Sequence, residues 1–188
     1  MTMHTFLPLC LVLVLRGCLD GELVTPGQPV DPISDAEYTV LSTIFALEFQ
    51  PRDTVRLLTD STSTGLFVDP QDPTATLDRE ITRVLGGVSY AVPSLKQETM
   101  QDFRGKNLTP TFIVNPSKIH PNCVPGAPAG TMQDALEVSR VGFDRTGRQA
   151  VAFAGLYRRN GRVDGVYYVL TYQNDKWVMV GSRMIFQD

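Results

Sequence analysis

The side chains whose chemistry stands out are His120 and Cys123, close together in the stretch Asn115 to Gly130, NPSKIHPNCVPGAPAG. They could start a metal site, or Cys123 could act as a thiolate activated by its surroundings. Each reading lacks a part. A structural zinc site takes four protein ligands, and this stretch offers one cysteine and one histidine. A cysteine nucleophile needs a folded pocket, whereas the four prolines here describe an irregular loop. The stretch reads as a rigid surface excursion. His120 and Cys123 stay as the candidate reactive or metal-contacting pair, and no metal is assigned.

Carboxylates come in pairs at Asp78/Glu80, Glu98/Asp102 and Asp134/Glu137. A glycosidase or a two-metal enzyme needs such groups converging in a cleft. Glu98 and Asp102 share a helical face, but like charges so placed are ordinary on an exposed helix. The hydroxyl-rich run Asp60-Ser61-Thr62-Ser63-Thr64-Gly65 has no basic partner nearby, since the histidines of the whole chain are His4 and His120. A nucleophilic serine needs such a base and a third group to hold it. No catalytic residue is assigned, no cofactor is implied, and the chemistry favours a binding or structural role over an enzyme.

The arginines sit at expected turns, Arg140/Arg145/Arg148 and Arg158/Arg159/Arg162, where solvated charge is the plain reading. A formal charge of −3 and a pI near 5.4 lack the concentrated positive surface of a nucleic-acid binder. With 188 residues, 43% of them hydrophobic, the chain fits one domain behind an N-terminal extension.

Helices should position the first half. Ser34 and Glu37 have capping-box spacing, and Tyr38, Leu41, Phe45 and Phe49 then recur every three or four residues, up to a stop before Pro51. Asp72-Pro73 starts a second helix that Gly86-Gly87 should end, with Val88–Val92 extended beyond it. A second capping-box spacing at Ser94 opens a helix running to about Asn107. Val55–Thr59 and Phe112–Val114 are short strand candidates.

The last quarter has strand periodicity. Segments at about Leu136–Phe143, Ala150–Tyr157, Gly165–Tyr172 and Trp177–Phe186 are separated by turn signals, among them Asn160-Gly161. Short connections make them an antiparallel meander. The first segment changes parity near Arg140. The second is apolar on both faces, so it should be central, with helices covering one side. Val178 and Val180 should face the core.

The fold class expected is α+β: helices packed on a C-terminal antiparallel β-meander, with NTF2-like and cystatin-like cones as the finer alternatives. In a cone, a ligand pocket between helix and sheet would be lined by Tyr38, Phe45, Phe153, Tyr168 and Trp177, residues that equally suit a core.

At the N-terminus, FLPLCLVLVL over residues 6–15 is too short to span a bilayer and suits the apolar core of a secretory signal. Leu15-Arg16-Gly17-Cys18 resembles a bacterial lipobox, with Arg16 departing from its usual small or aliphatic residue. That resemblance implies lipidation at Cys18, a palmitate-type acyl anchor to the membrane. Ordinary cleaved export and a buried N-terminal segment are the alternatives. The organisation expected is a signal and lipobox segment at 1–18, a Gly/Pro-rich tether at 19–33, and a single α+β domain at 34–188.

Gln97-Glu98-Thr99, Asp102-Phe103-Arg104, Lys106-Asn107, Ser139-Arg140-Val141-Gly142-Phe143, Gln149-Ala150, Tyr167-Tyr168-Val169-Leu170 and Lys176-Trp177 form a longer pattern. Together with Tyr38–Ser42 it resembles a family of uncharacterised exported bacterial proteins, many of them predicted lipoproteins, over most of residues 35–186. Members commonly carry Asn at Asp144 and a Gly/Cys-rich loop at Arg158–Gly165, so no cysteine role carries over there. The resemblance implies an exported α+β domain of the cell envelope, held at the membrane and open to an envelope protein partner. The alternative is a small-ligand-binding or hydrolytic protein with a helix–sheet pocket.

Overall fold

Ser34 opens the first helix, α1 (Asp35–Glu48), by a reciprocal bond. Its hydroxyl accepts from the Glu37 amide at 3.3 Å, and the Glu37 carboxylate accepts from the Ser34 amide at 3.0 Å. Helix α1 ends at Phe49, in extended conformation just before Pro51. The structure is a computed structural model describing residues 33–59, 61–66, 69, 71–108, 112–126 and 133–187. Cys18 and the tether up to residue 32 lie outside the described residues. Ile33, at the tether's end, is buried in the core.

Asp72 caps α2 (Pro73–Ala91) by accepting from the Ala75 amide, with Pro73 in the first turn. Gly86-Gly87 does not end this helix, and Val88–Val92 is not a strand. Val88 and Val92 are buried side chains of the core, and that burial outweighs the cost of about 1 kcal/mol that a mid-helix glycine carries. The next helix, α3 (Gln97–Asn107), starts after Lys96 without a side-chain cap, so Ser94 is not its cap.

Residues 115–126 are also more ordered than the prolines of this stretch suggest. They contain a single helical turn, α4 (Pro116–Ile119), and strand β2 (Cys123–Pro125) beside the earlier β1 (Val55–Leu57). Ile119 and Cys123 are core residues, so this part is no surface excursion. At Phe112–Val114 only an isolated bridge forms, Ser61 to Ile113.

The remaining strands are β3 (Ala135–Val138), β4 (Gly142–Phe143), β5 (Gln149–Tyr157), β6 (Val163–Gln173) and β7 (Lys176–Gln187). They form an open, mixed sheet of seven strands in the order β2-β1-β3-β5-β6-β7, with β4 also on β5. Strand β1 runs parallel to both neighbours, and every other pair is antiparallel. The fold class is α+β. The meander is present and β5 is internal, and the parity change near Arg140 is the break between β3 and β4.

Both faces of the sheet are covered, rather than one. On β5 and β6, Ala150, Ala152, Ala154, Leu156, Val166, Tyr168 and Leu170 pack with α1. The alternate residues Val151, Phe153, Tyr167 and Val169 pack with α2 and α3. The alternation follows from the two-residue period of a strand. Register shifts at Gly165/Val166 and Val169/Leu170 put extra residues into β7. Val178 at 36% and Val180 at 41% exposure are not in the core: β7 is an edge strand, and Met179 between them, on the other parity, is as exposed at 41%.

Candidate functional site

A cleft of about 720 Å³ opens beside the C-terminal end of helix α1. Its floor is Leu156, Val166 and Tyr168 from β5 and β6. Met179, Ser182 and Met184 of β7 form one wall. Glu48 and Asp53, from the end of α1 and the turn after it, form the opposite wall, and the β5–β6 turn closes one end.

The turn is built around Gly161, at φ +88, a conformation that disfavours any side chain. Asn160 Oδ1 accepts from the Arg162 amide, and the Arg158 amide donates to the Arg162 carbonyl. This geometry brings Arg158 back over α1. Its Nη2 donates to Glu48 Oε2 at 2.5 Å and its Nη1 to the Glu48 carbonyl at 2.8 Å. A cation thus satisfies a carbonyl at the negative end of the helix. The guanidinium also lies over the Phe49 ring, 4.8 Å from its centre.

Tyr168 Oη donates to Glu48 Oε1 at 2.6 Å. Burial, and then the adjacent Glu48 carboxylate, push the Tyr168 phenol far above the ordinary tyrosine value, so it stays protonated. Arg162 Nε donates to Asp164 Oδ1 at 2.8 Å, and Asp164 is 4% exposed. Arg159 donates its amide to Asp134 Oδ1 at 2.8 Å, with its guanidinium 3.6 Å from Oδ2. The cleft therefore combines an apolar floor with a rim of ion pairs. It can hold a ligand, but its charged groups, Asp53 apart, are engaged with one another rather than poised as acid and base.

Of the five residues expected to line a helix–sheet pocket, Tyr168 reaches the cleft. Tyr38 and Phe45 are buried beneath α1. The Tyr38 hydroxyl accepts from the Asn115 amide, and Phe45 stacks on His120 at 4.5 Å. Trp177 lies at the other end of the β6–β7 hairpin, against Tyr172 and Phe143. Phe153 is on the opposite face of the sheet, against Tyr167. Glu48, Arg158 and Asp164 carry no local signal. The arginines read as turn charges because the partners of Arg140, Arg158 and Arg159 are distant in sequence, although Arg162 pairs with Asp164 two residues on.

His120 Nδ1 accepts from the Asn122 amide. Cys123 is buried, and burial pushes its thiol up to about 12, the opposite of an activated thiolate. Among the described residues, no group of three or more His, Cys, Asp or Glu side chains is placed to hold a metal ion. The carboxylate pairs disperse. Asp78 pairs with Arg104, Glu80 with Arg83, Glu98 with Arg145 and Asp134 with Arg159. Glu137 accepts from the Tyr157 hydroxyl.

Asp102 belongs to a second polar region, the seam between α3 and the strands. Its carboxylate accepts from the Phe143 amide and pairs with Lys106. Asn107 accepts from the Arg140 amide and donates to the Arg140 carbonyl. Arg140 forms a two-point pair with Glu37, whose Oε1 also accepts from the Val141 amide. Burial opposes ionisation of Glu37, but the bonds from Arg140 and the backbone prevail and hold its carboxyl below the usual range. At Gly142 an added Cβ would come within 2.4 Å of the Phe103 backbone, so the helix can cross here only over glycine.

Gln149 accepts from the Lys96 amide and the Thr99 hydroxyl and donates to the Ser94 carbonyl. Asp144 is buried and accepts from Lys96, Thr146 and two backbone amides. Burial works against its charge, but these bonds hold its carboxyl far below the ordinary value. Many of the residues in the long sequence pattern thus meet in one sealed seam, away from the cleft.

Among the described residues, no helix is long and apolar enough to cross a membrane. Comparisons with protein-family models, with curated proteins and with solved structures find no match to the chain.

Proposed function

We propose that the chain is an exported, lipid-anchored domain of the bacterial cell envelope that binds a ligand in the cleft between α1 and the outer strands. The observation that carries the binding part is the cleft itself. Its volume of about 720 Å³ lies within the range of small-ligand sites, and an apolar floor there meets a polar rim. Binding is favoured over hydrolysis because Arg158 holds Glu48, Arg162 holds Asp164, and the Tyr168 phenol stays protonated. The cone-like alternatives, NTF2-like and cystatin-like, belong to this reading. What supports them is the first helix packed against the meander.

The anchor rests on residues 6–18 and the resemblance at Leu15-Arg16-Gly17-Cys18. The resemblance to the exported family is a further support, since many of its motif residues build a single structural seam. A protein partner in the envelope is the second reading, favoured by the exposed Val178 and Val180 on the outer strand.

Native mass spectrometry of detergent-extracted full-length protein tests both parts. The expected result is an acyl mass lost in Cys18→Ser, and a bound small molecule lost when Ser182→Trp fills the cleft. An unacylated wild type would remove the anchor. A bound molecule retained by Ser182→Trp would place binding elsewhere.

A further inference from the structure

We infer that the cleft is selective for an organic cation, a primary ammonium group carried on an apolar body, with Asp164 as its counter-ion. This rests on the cleft being the ligand site. Four carboxylates border it, Glu48, Asp53, Asp134 and Asp164, against three guanidinium groups, Arg158, Arg159 and Arg162. Each arginine already faces one of the acids: Arg158 faces Glu48, Arg159 faces Asp134 and Arg162 faces Asp164. Asp53 is the carboxylate left over. Its Oδ2 accepts from the Gln50 amide at 2.8 Å, and it makes no ion pair among the described residues. The lining thus carries one more carboxylate than guanidinium groups, and the charged group that this balance favours is a cation.

Asp164 gives that cation a place to bind. The residue is 4% exposed and shares a sheet face with its cross-strand partner Leu156 and with Val166 and Tyr168. Its Oδ1 is taken by Arg162, while its Oδ2 has no hydrogen-bond partner among the described residues. No buried side-chain oxygen or nitrogen among the described residues lacks a partner. The free Oδ2 therefore keeps its opening to the outside, and Asp164 lines the cleft. A ligand with no donor covering that oxygen would leave a partly desolvated charge without a bond, a hydroxyl would give it only a neutral partner, and an anion would be repelled. An ammonium group would complete it with a charge-assisted hydrogen bond. Leu156, Val166 and the Tyr168 ring supply apolar contact for the body of the ligand. Met179 and Met184, at 41% and 45% exposure, offer flexible, polarisable side chains that adapt to its shape.

The test is a titration of the full-length protein in detergent at low ionic strength, read by the ¹³C-methyl signals of Met179 and Met184. The two signals are assigned by Met179→Leu and Met184→Leu. The probes are n-hexylammonium, n-hexanol and n-hexanoate. Hexylammonium is expected to shift both methyl signals and to bind at least about tenfold more tightly than hexanol, with hexanoate weakest. Asp164→Asn should bring hexylammonium to the hexanol level and leave hexanol unchanged.

Should Asp164→Asn not fold, the exposed Ser182 decides. Ser182→Lys places a tethered ammonium in the cleft and should displace hexylammonium, whereas Ser182→Met, of similar bulk, should retain it. Equal binding of hexanol and hexylammonium, or indifference to both Asp164→Asn and Ser182→Lys, overturns the cation while leaving the cleft as a binding site. Silence of both methyl signals to all three probes overturns the cation and the cleft together.

Discussion

Helix α1 carries a glutamate–arginine pair at each end, and the two pairs have different surroundings. At its start, Glu37 and Arg140 are sealed, with side chains 2% and 9% exposed. Every direction around Glu37 is used, by Ser34, Arg140 and the Val141 amide. At its end, Glu48 and Arg158 are 22% and 24% exposed and stand on the rim of a cleft. The same chemistry serves as a lock where the sheet kinks and as a wall where the sheet is left open. Burial, rather than residue type, separates the two roles. A sealed pair fixes geometry, and a half-open one can still meet a ligand.

The contrast has measurable consequences for folding stability. Arg140→Leu strands the Glu37 carboxylate in the core, and urea unfolding should show a loss of about 3–5 kcal/mol. An effect below about 1 kcal/mol would mean that the sealed pair is no different from the open one. Gly142→Ala tests the same seam through shape, because the Phe103 backbone cannot move away from the new Cβ. Overpacking of this kind should cost about 1–3 kcal/mol, read as a lowered urea midpoint with an unchanged slope.

Acid titration sharpens the comparison further. The folded carboxyl of Asp144 ionises well below its unfolded value of about 3.9, so its stabilisation is present above about pH 4 and is lost as the pH falls below that. Wild type should therefore lose stability more steeply below about pH 4 than Asp144→Asn does. Matching acid limbs would remove Asp144 from the seam's contribution. The smallest effect is expected at the open end. Glu48→Gln can accept from Arg158 through its amide oxygen and donate to Tyr168 Oη through its amide nitrogen, and its unfolding free energy should fall by under about 1 kcal/mol.

Much of the fold is legible in local signals. Ser34 and Glu37 announce the first helix, Asp72-Pro73 the second, and the parity change at Arg140 the break between β3 and β4. Those features depend on residues within a turn of one another. The parallel pairing of β1 with β2 and β3 was not legible, since Val55 meets Cys123 and Arg56 meets Ala135 across long stretches of chain. The exposure of Val178 and Val180 was hidden for another reason: alternation marks a strand but not its place in the sheet, and β7 lies at the edge, where both parities are exposed. The pocket expectation placed Tyr168 at the cleft but also chose Phe153, which points the other way. The rest of the cleft lay in partners such as Glu48 and Arg158, which no spacing rule joins.

The position of β1 also fixes an order of events. It lies in the sheet between β2 and β3, both of which leave the ribosome after it, and α1 rests on β5 and β6, later still. Helix α1 thus lacks much of its floor until nearly the whole chain exists. Long-range closures of this sort slow folding, because chain entropy is lost before contacts repay it. A chain truncated before β6 would lose Val166, Tyr168 and Leu170 from the core that Tyr38, Leu41 and Phe45 share, a sticky intermediate rather than a smaller domain.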